Sequence, residues 1–166
     1  MRELPARPLT PDAFAPYGQV IDLDRSEQVS INDGLTTRFH DLASIDVARG
    51  GGQVAVNVFR TKPIALPHRV ERLERHPLGS QLFYPVAPVR FLVLVAPSGD
   101  QLQSDGLELF VTNGRQGVNF YRNTWHNFQL VLEREADFVV VDRVGPGDNL
   151  EEQAPIGQPV VVPQAC

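Results

Sequence analysis

Two stretches of the chain carry side chains that can do chemistry. Leu73 to Val86 sets Glu74, Arg75, His76, Ser80 and Gln81 around a Pro-Leu-Gly turn, and Gly117 to Phe128 carries Asn119, Arg122, Trp125 and His126. His76 and His126 are the candidates for moving protons, because an unperturbed imidazole titrates near pH ~6.5. Glu74 is suited to orienting an imidazole or to acting as a ligand. Lys62 is the only lysine, so a fixed positive charge in a pocket falls to a guanidinium, whose fork pairs with a carboxylate through two hydrogen bonds. Arg75 and Arg122 are the candidates for that task, with Asn57, Ser80, Gln81 and Asn119 as neutral donors and acceptors. Each also has an ordinary structural role open to it: His76 as a turn residue, His126 as a core histidine, Arg75 in a surface ion pair with Glu71 or Glu74.

The elements that must position these residues are strands. Val54, Val56 and Val58 alternate with Ala55, Asn57 and Phe59, which predicts a strand with the valine face on the core and Asn57 opposite. Further strands are expected over Ser80 to Val86, Val89 to Ala96, Leu107 to Thr112, Gly117 to Arg122, Trp125 to Leu132, Asp137 to Asp142 and Val160 to Val162, all rich in β-branched and aromatic residues. Thr112-Asn113-Gly114 is a hairpin turn signal. Thr10 followed by Pro11 predicts one or two helical turns that dock Phe14 and Tyr17. Asp22 to Gly34 reads as loop, and the three glycines from Gly50 form a break. Evenly spaced strands without a long helical period imply an all-β antiparallel sandwich or barrel with a few short helices. The proline-rich tail from Gly145 to Pro163 is free to cross to another part of the sheet or to a partner subunit.

The totals bound the function. A length of 166 residues fits a single domain, 1–166, able to bury a core without covalent staples. A formal charge of −5 argues against a nucleic-acid surface, which needs clustered positive charge. The sole cysteine, Cys166, leaves no disulfide framework or thiolate cluster within one chain. The chain has neither an apolar run of about 18 residues nor a signal-peptide core, so a soluble cytoplasmic protein acting on a small molecule, with no membrane partner, is expected.

Glu74, His76 and Gln81, with Trp125-His126 on a later strand, resemble the two half-motifs of the cupin superfamily. A closer resemblance covers nearly the whole chain. Asn32-Asp33-Gly34-Leu35, Arg38-Phe39-His40-Asp41-Leu42, the run from Glu74 to Gln81, Thr112-Asn113-Gly114, Gln116-Gly117-Val118-Asn119, Trp125-His126 and Asp137-Phe138 to Asp142-Arg143 resemble segments of the ureidoglycolate lyase family, formerly called ureidoglycolate hydrolases. The resemblance implies a cupin-like double-stranded β-helix or jelly-roll barrel, usually a homodimer. It also implies an amidine-type carbon–nitrogen lyase that cleaves (S)-ureidoglycolate to glyoxylate and urea in purine breakdown through allantoin.

Ureidoglycolate is a hemiaminal bearing a carboxylate. Losing urea from it needs a base for the hydroxyl proton, an acid for the departing nitrogen and a cation for the carboxylate. On this reading His76, His126 and Glu74 are catalytic, and Arg75, Arg122, Asn119, Asn57, Ser80 and Gln81 bind substrate. The resemblance also implies a divalent metal, nickel among those associated with the family, for which Glu74, His76, Gln81 and His126 form a mixed nitrogen and oxygen ligand set.

Two departures stand out: Asn119-Phe120-Tyr121-Arg122 where the family reads Asn-Tyr-His-Arg, and Trp125-His126-Asn127 where it reads Trp-His-His. Strand alternation turns Asn127 away from a site built on His126 and leaves Tyr121 able to approach it. The missing imidazoles motivate one rival, a non-catalytic cupin that binds a small carboxylate; a second rival is an amidohydrolase releasing ammonia from the same substrate, which the fold alone does not separate from the lyase. Asp142 and Arg143 are expected either to pair with each other or to brace the site. His68 is expected to be exposed, and His40 is either structural or part of a dimer contact.

Overall fold

The computed structural model describes residues 1–164; Cys166 lies outside the described residues. Two sheets dominate. One runs Gly18–Ile21, Gly117–Phe120, Gln81–Pro85, Ala136–Val144, Gln53–Thr61, with antiparallel neighbours throughout. The other runs Glu151–Gln153, Leu73–Arg75, Trp125–His126, Phe91–Ala96, Glu108–Val111, Arg7–Pro8, and Leu130–Val131 also pairs with Phe91–Ala96. A smaller sheet sets Val160–Val162 between Arg2–Glu3 and His68–Arg69. This is the β-rich architecture that the strand spacing predicts and the cupin-like one that the resemblance implies, with one four-residue α-helix and three single 3-10 turns among the described residues.

The strand Phe91–Ala96 is apolar at every position because it is buried on both faces. Phe91, Val93 and Val95 meet Phe83, Val118, Phe120, Phe138 and Val140 of the facing sheet. Leu92, Leu94 and Ala96 instead pack with Leu73, Leu102, Leu107, Trp125, Val160 and Val162. Each of its Val, Leu and Phe side chains contributes roughly 1.5–3 kcal/mol on burial, and the strand belongs to both cores. The helix Pro11–Phe14 forms as predicted: Thr10 Oγ accepts from the Ala13 N–H at 3.3 Å, and the Phe14 ring meets Phe110 edge-on at 5.5 Å.

Three expectations change. Residues 22–34 are not simply loop: Glu27–Ile31 and Thr36–His40 form an antiparallel hairpin around the Asn32-Asp33-Gly34 turn. Both strands are largely exposed, so no apolar alternation marks them. The valine face of Gln53–Thr61 points outward, with Val54, Val56 and Val58 at 57, 70 and 63% exposure, while the Phe59 ring packs 5.8 Å from Phe83. Alternation distinguishes two faces, but when both are apolar it does not say which one meets the core. The expected strand Trp125 to Leu132 is broken into Trp125–His126 and Leu130–Val131. The tail crosses to other parts of the same molecule, pairing Glu151–Gln153 with Leu73–Arg75. Among the described residues no helix is long and apolar enough to cross a membrane.

Candidate active site and metal centre

Glu74 and His126 are register partners on neighbouring strands, so both side chains project to the same face of the sheet. That face looks onto the other sheet, where the His126 ring lies flat on Phe120 at 4.1 Å and 6°. Leu73, Arg75 and Trp125 alternate to the opposite face. His76 ends the Leu73–Arg75 strand at the Pro-Leu-Gly turn, and the chain returns as the strand that begins at Gln81. Gly79 makes that return possible, since a Cβ there would sit 2.8 Å from the Cβ of Arg143.

The sequence-predicted Glu74, His76, Gln81 and His126 come together. Glu74 Oε1 lies 3.7 Å from His76 Nε2 and 4.0 Å from His126 Nδ1, and the two imidazole centroids are 5.2 Å apart. The His76 Nδ1–H donates to the Asn149 carbonyl at 2.7 Å, while Nε2 is 3.0 Å from Gln81 Oε1. Gln81 in turn donates from Nε2 to Asp142 at 3.2 Å, and Asn57 donates to the same carboxylate at 3.1 Å. An ionised carboxylate only accepts, so Asp142 turns the Gln81 amide nitrogen toward itself and the amide oxygen toward His76. Both His76 nitrogens therefore face oxygen acceptors, an environment that favours the doubly protonated ring.

The electrostatics separate the two histidines. Burial pulls the His76 pKa down, but Glu74, the Asn149 carbonyl and Gln81 together outweigh it and leave it raised. His126 is fully buried, and burial followed by repulsion from His76 pushes it down to about 4 against the partial opposition of Glu74. His76, opposed by burial but assisted by His126 and Arg72, holds the Glu74 carboxyl below its ordinary value.

These directions fix a pH dependence for the metal-free protein. Between pH 6.5 and about 4 the unfolded chain takes up the His126 proton and the folded chain does not, so stability falls on acidification. Glu74 adds to the loss once the pH drops below 4.5. The raised His76 acts in the other direction: its contribution is complete below pH 6.5 and is lost as the pH rises through its folded pKa. His126→Phe, which keeps the ring stacked on Phe120, should flatten the acid limb by on the order of 2–3 kcal/mol in denaturant titrations at pH 4 and 7.

Glu74, His76 and His126 each offer a ligand atom, all within 4.8 Å of one another. His126 Nε2 is buried without a hydrogen-bond partner among the described residues, a cost that a bound ion or substrate would remove. Imidazole and carboxylate suit a divalent transition metal, so the donor set fits one. Gln81 stands behind His76, with its oxygen already engaged by the ring.

The other predicted residues lie elsewhere. Arg75 is on the far face, paired with Glu151 at 2.6 Å, bonded to the Gly99 carbonyl and stacked over Trp125 at 4.6 Å. Its ion-pair partner is thus neither Glu71 nor Glu74. Ser80 and Asn119 fasten residues 44–46 to the outside of the five-stranded sheet: Ser80 Oγ accepts from the Asp46 N–H, and Asn119 donates to Gln19 and the Ser44 carbonyl. Arg122 donates to the Pro77 carbonyl at 3.4 Å and faces Asp46, beside the turn but outside the cluster. Asn57 reaches the cluster only through Asp142. Tyr121 is exposed beyond the end of its strand.

Sequence reasoning missed Asn149 and the stacking partner Phe120, and it left Asp142 undecided. Asp142 braces Gln81, whereas Arg143 does not pair with it and instead donates to the carbonyls of Arg49, Gly50 and Pro146. A cavity of about 500 Å³ opens beside Glu74, lined among others by His68, Arg69, Arg72, Asn127 and Phe128. His68 is therefore half-buried, its ring edge-on to Phe128 at 6.3 Å, and Asn127 faces the cleft that leads to the site.

Comparison with known proteins identifies the family. The sequence model of the family described as Ureidoglycolate lyase matches residues 1–162. The chain is 51% identical to a ureidoglycolate lyase of Burkholderia mallei (strain NCTC 10229), over 92% of this chain and 89% of that protein. It is 47% identical to a ureidoglycolate lyase of Pseudomonas syringae pv. syringae (strain B728a) over the same two shares. With a family match across almost its full length and relatives about half identical to it, the chain belongs to the ureidoglycolate lyase family.

Proposed function

We propose that the chain is a single-domain lyase, residues 1–166, that cleaves (S)-ureidoglycolate to glyoxylate and urea. The observation that carries this reading is the Glu74, His76 and His126 group, whose Glu74 lines a cleft of about 500 Å³. Glu74 is the member that lines the cleft, and its carboxylate, kept ionised by the neighbouring imidazole, takes the hydroxyl proton of the hemiaminal. The O–H electrons become the new C=O bond, the C–N bond breaks, and His76 returns a proton from Nε2 to the departing urea nitrogen. Gln81 and Asn149 hold the His76 ring in place for that transfer. A divalent ion such as nickel, held by Glu74, His76 and His126, would supply Lewis-acid polarisation of the substrate hydroxyl in place of proton handling by the imidazoles.

The deciding experiment follows glyoxylate, urea and ammonia together from ureidoglycolate, with the spontaneous background subtracted, before and after chelator treatment. Equimolar glyoxylate and urea is the expected result. Ammonia as the nitrogen product would make the protein an amidohydrolase, and no product at all would leave a carboxylate-binding module. Loss of activity on chelation, restored by nickel, would establish the metal centre.

We place the reaction in purine breakdown through allantoin, in the cytoplasm, with a homodimer as the working form. The exposed ladder of Val54, Val56 and Val58 supports the dimer, because an uncovered apolar edge strand invites uncontrolled pairing and is normally hidden. Val56→Lys should therefore convert a dimer to a monomer in sedimentation equilibrium. A wild-type monomer would end that assignment.

A further inference from the structure

We propose that Arg72 is the residue that anchors the substrate carboxylate, an inference that rests on the ureidoglycolate reading above. A carboxylate arriving next to Glu74 meets a like charge, so the cleft must supply a cation close by. The arginines favoured by the sequence are not available for this: Arg75 is held by Glu151 and Gly99 across the sheet, and Arg122 faces Asp46 and Pro77. Arg72 lines the cleft together with Glu74, two residues further along the chain. Its charge also helps to hold Glu74 ionised.

The guanidinium is ready for a ligand. Its side chain is 71% exposed, and its one ion pair among the described residues is a 3.5 Å approach of Nε to Glu152, the register partner of Glu74. Among the described residues neither Nη group has a partner, so both are open for a bidentate grip that a carboxylate can take up without breaking a buried contact. The rest of the cleft suits the same molecule. His68 and Phe128 form an aromatic wall, and Asn127, whose Oδ1 accepts from the Phe128 N–H at 2.8 Å, has its amide NH₂ free among the described residues to meet a ureido carbonyl.

The test is steady-state kinetics of Arg72→Ala, Arg72→Lys and Arg69→Ala, together with calorimetric titration of glyoxylate. Arg72→Ala should raise KM and the glyoxylate Kd by about 10–100-fold while kcat stays within about threefold. Arg72→Lys should recover part of the loss, and inhibition by urea, which has no carboxylate, should not change. Unchanged KM and glyoxylate binding in Arg72→Ala would overturn the assignment, as would the same shift appearing in Arg69→Ala instead. If the wild-type protein binds glyoxylate through Arg72 but turns nothing over, the anchor stands and the lyase reading fails.

Discussion

His76→Ala should lower kcat for ureidoglycolate by at least ~100-fold, the usual weight of one acid or base group, while far-ultraviolet circular dichroism stays that of the wild type. The side chain is only partly buried, so the fold survives its loss, but three partners lose their common contact: the Asn149 carbonyl, the Gln81 amide and the Glu74 carboxylate. His76→Gln restores some of these hydrogen bonds without the titratable ring and should remain as slow as the alanine variant. His126 needs a gentler probe because alanine there opens a cavity against Phe120; His126→Phe keeps the stack and should be equally inactive. Near-wild-type turnover in both His76→Ala and His126→Phe would remove the site from this part of the barrel.

The largest loss of stability is expected at Trp125. It is the bulkiest of the fully buried side chains, and truncating such a residue to alanine costs about 3–5 kcal/mol. In a domain of this size that lowers Tm by roughly 10 °C. Its indole N–H and one Arg75 Nη both donate to the Gly99 carbonyl, at 3.0 and 2.7 Å, so Trp125→Phe keeps that acceptor satisfied and should cost only about 1 kcal/mol. Arg75→Ala should likewise cost about 1–2 kcal/mol through the lost stack and ion pair, with KM unchanged. A large rise in KM in Arg75→Ala would return that arginine to the binding site. Differential scanning calorimetry of the three variants, with KM measured for Arg75→Ala, decides the point.

The contrast between His76 and Arg75 shows how far the sequence could be read. The family resemblance, added to residue type, singled out Glu74, His76, Gln81 and His126; Glu74 and His126 share a face by register, and Gln81 approaches His76 from the other sheet, beside Phe120. The strand Phe91–Ala96 was legible from its composition: six apolar residues in a row, two of them β-branched valines, between Pro88 and Pro97, suit a strand buried on both sides. Alternation, applied one residue along from Glu74, puts Arg75 on the wrong side of the sheet, and chemistry alone had favoured it. Asn149 was hidden because its backbone carbonyl, which any residue possesses, makes the contact. The hairpin around Asn32 and Asp33 and the short polar strand Glu151–Gln153 were hidden because backbone pairing at an exposed edge leaves no hydrophobic signature.

The carbonyl of Asn149 that steadies His76 has a consequence for biosynthesis. A chain emerging from the ribosome exposes its N-terminal part first, so Glu74, His76 and His126 all leave the exit tunnel before residue 149 does. Until then the imidazole lacks its Nδ1 acceptor, and Leu73–Arg75 lacks the strand that covers its edge. Stalled or truncated products ending ahead of that segment would carry every reactive side chain of the group without the arrangement that makes them act together, so a translation fragment released early would be inert.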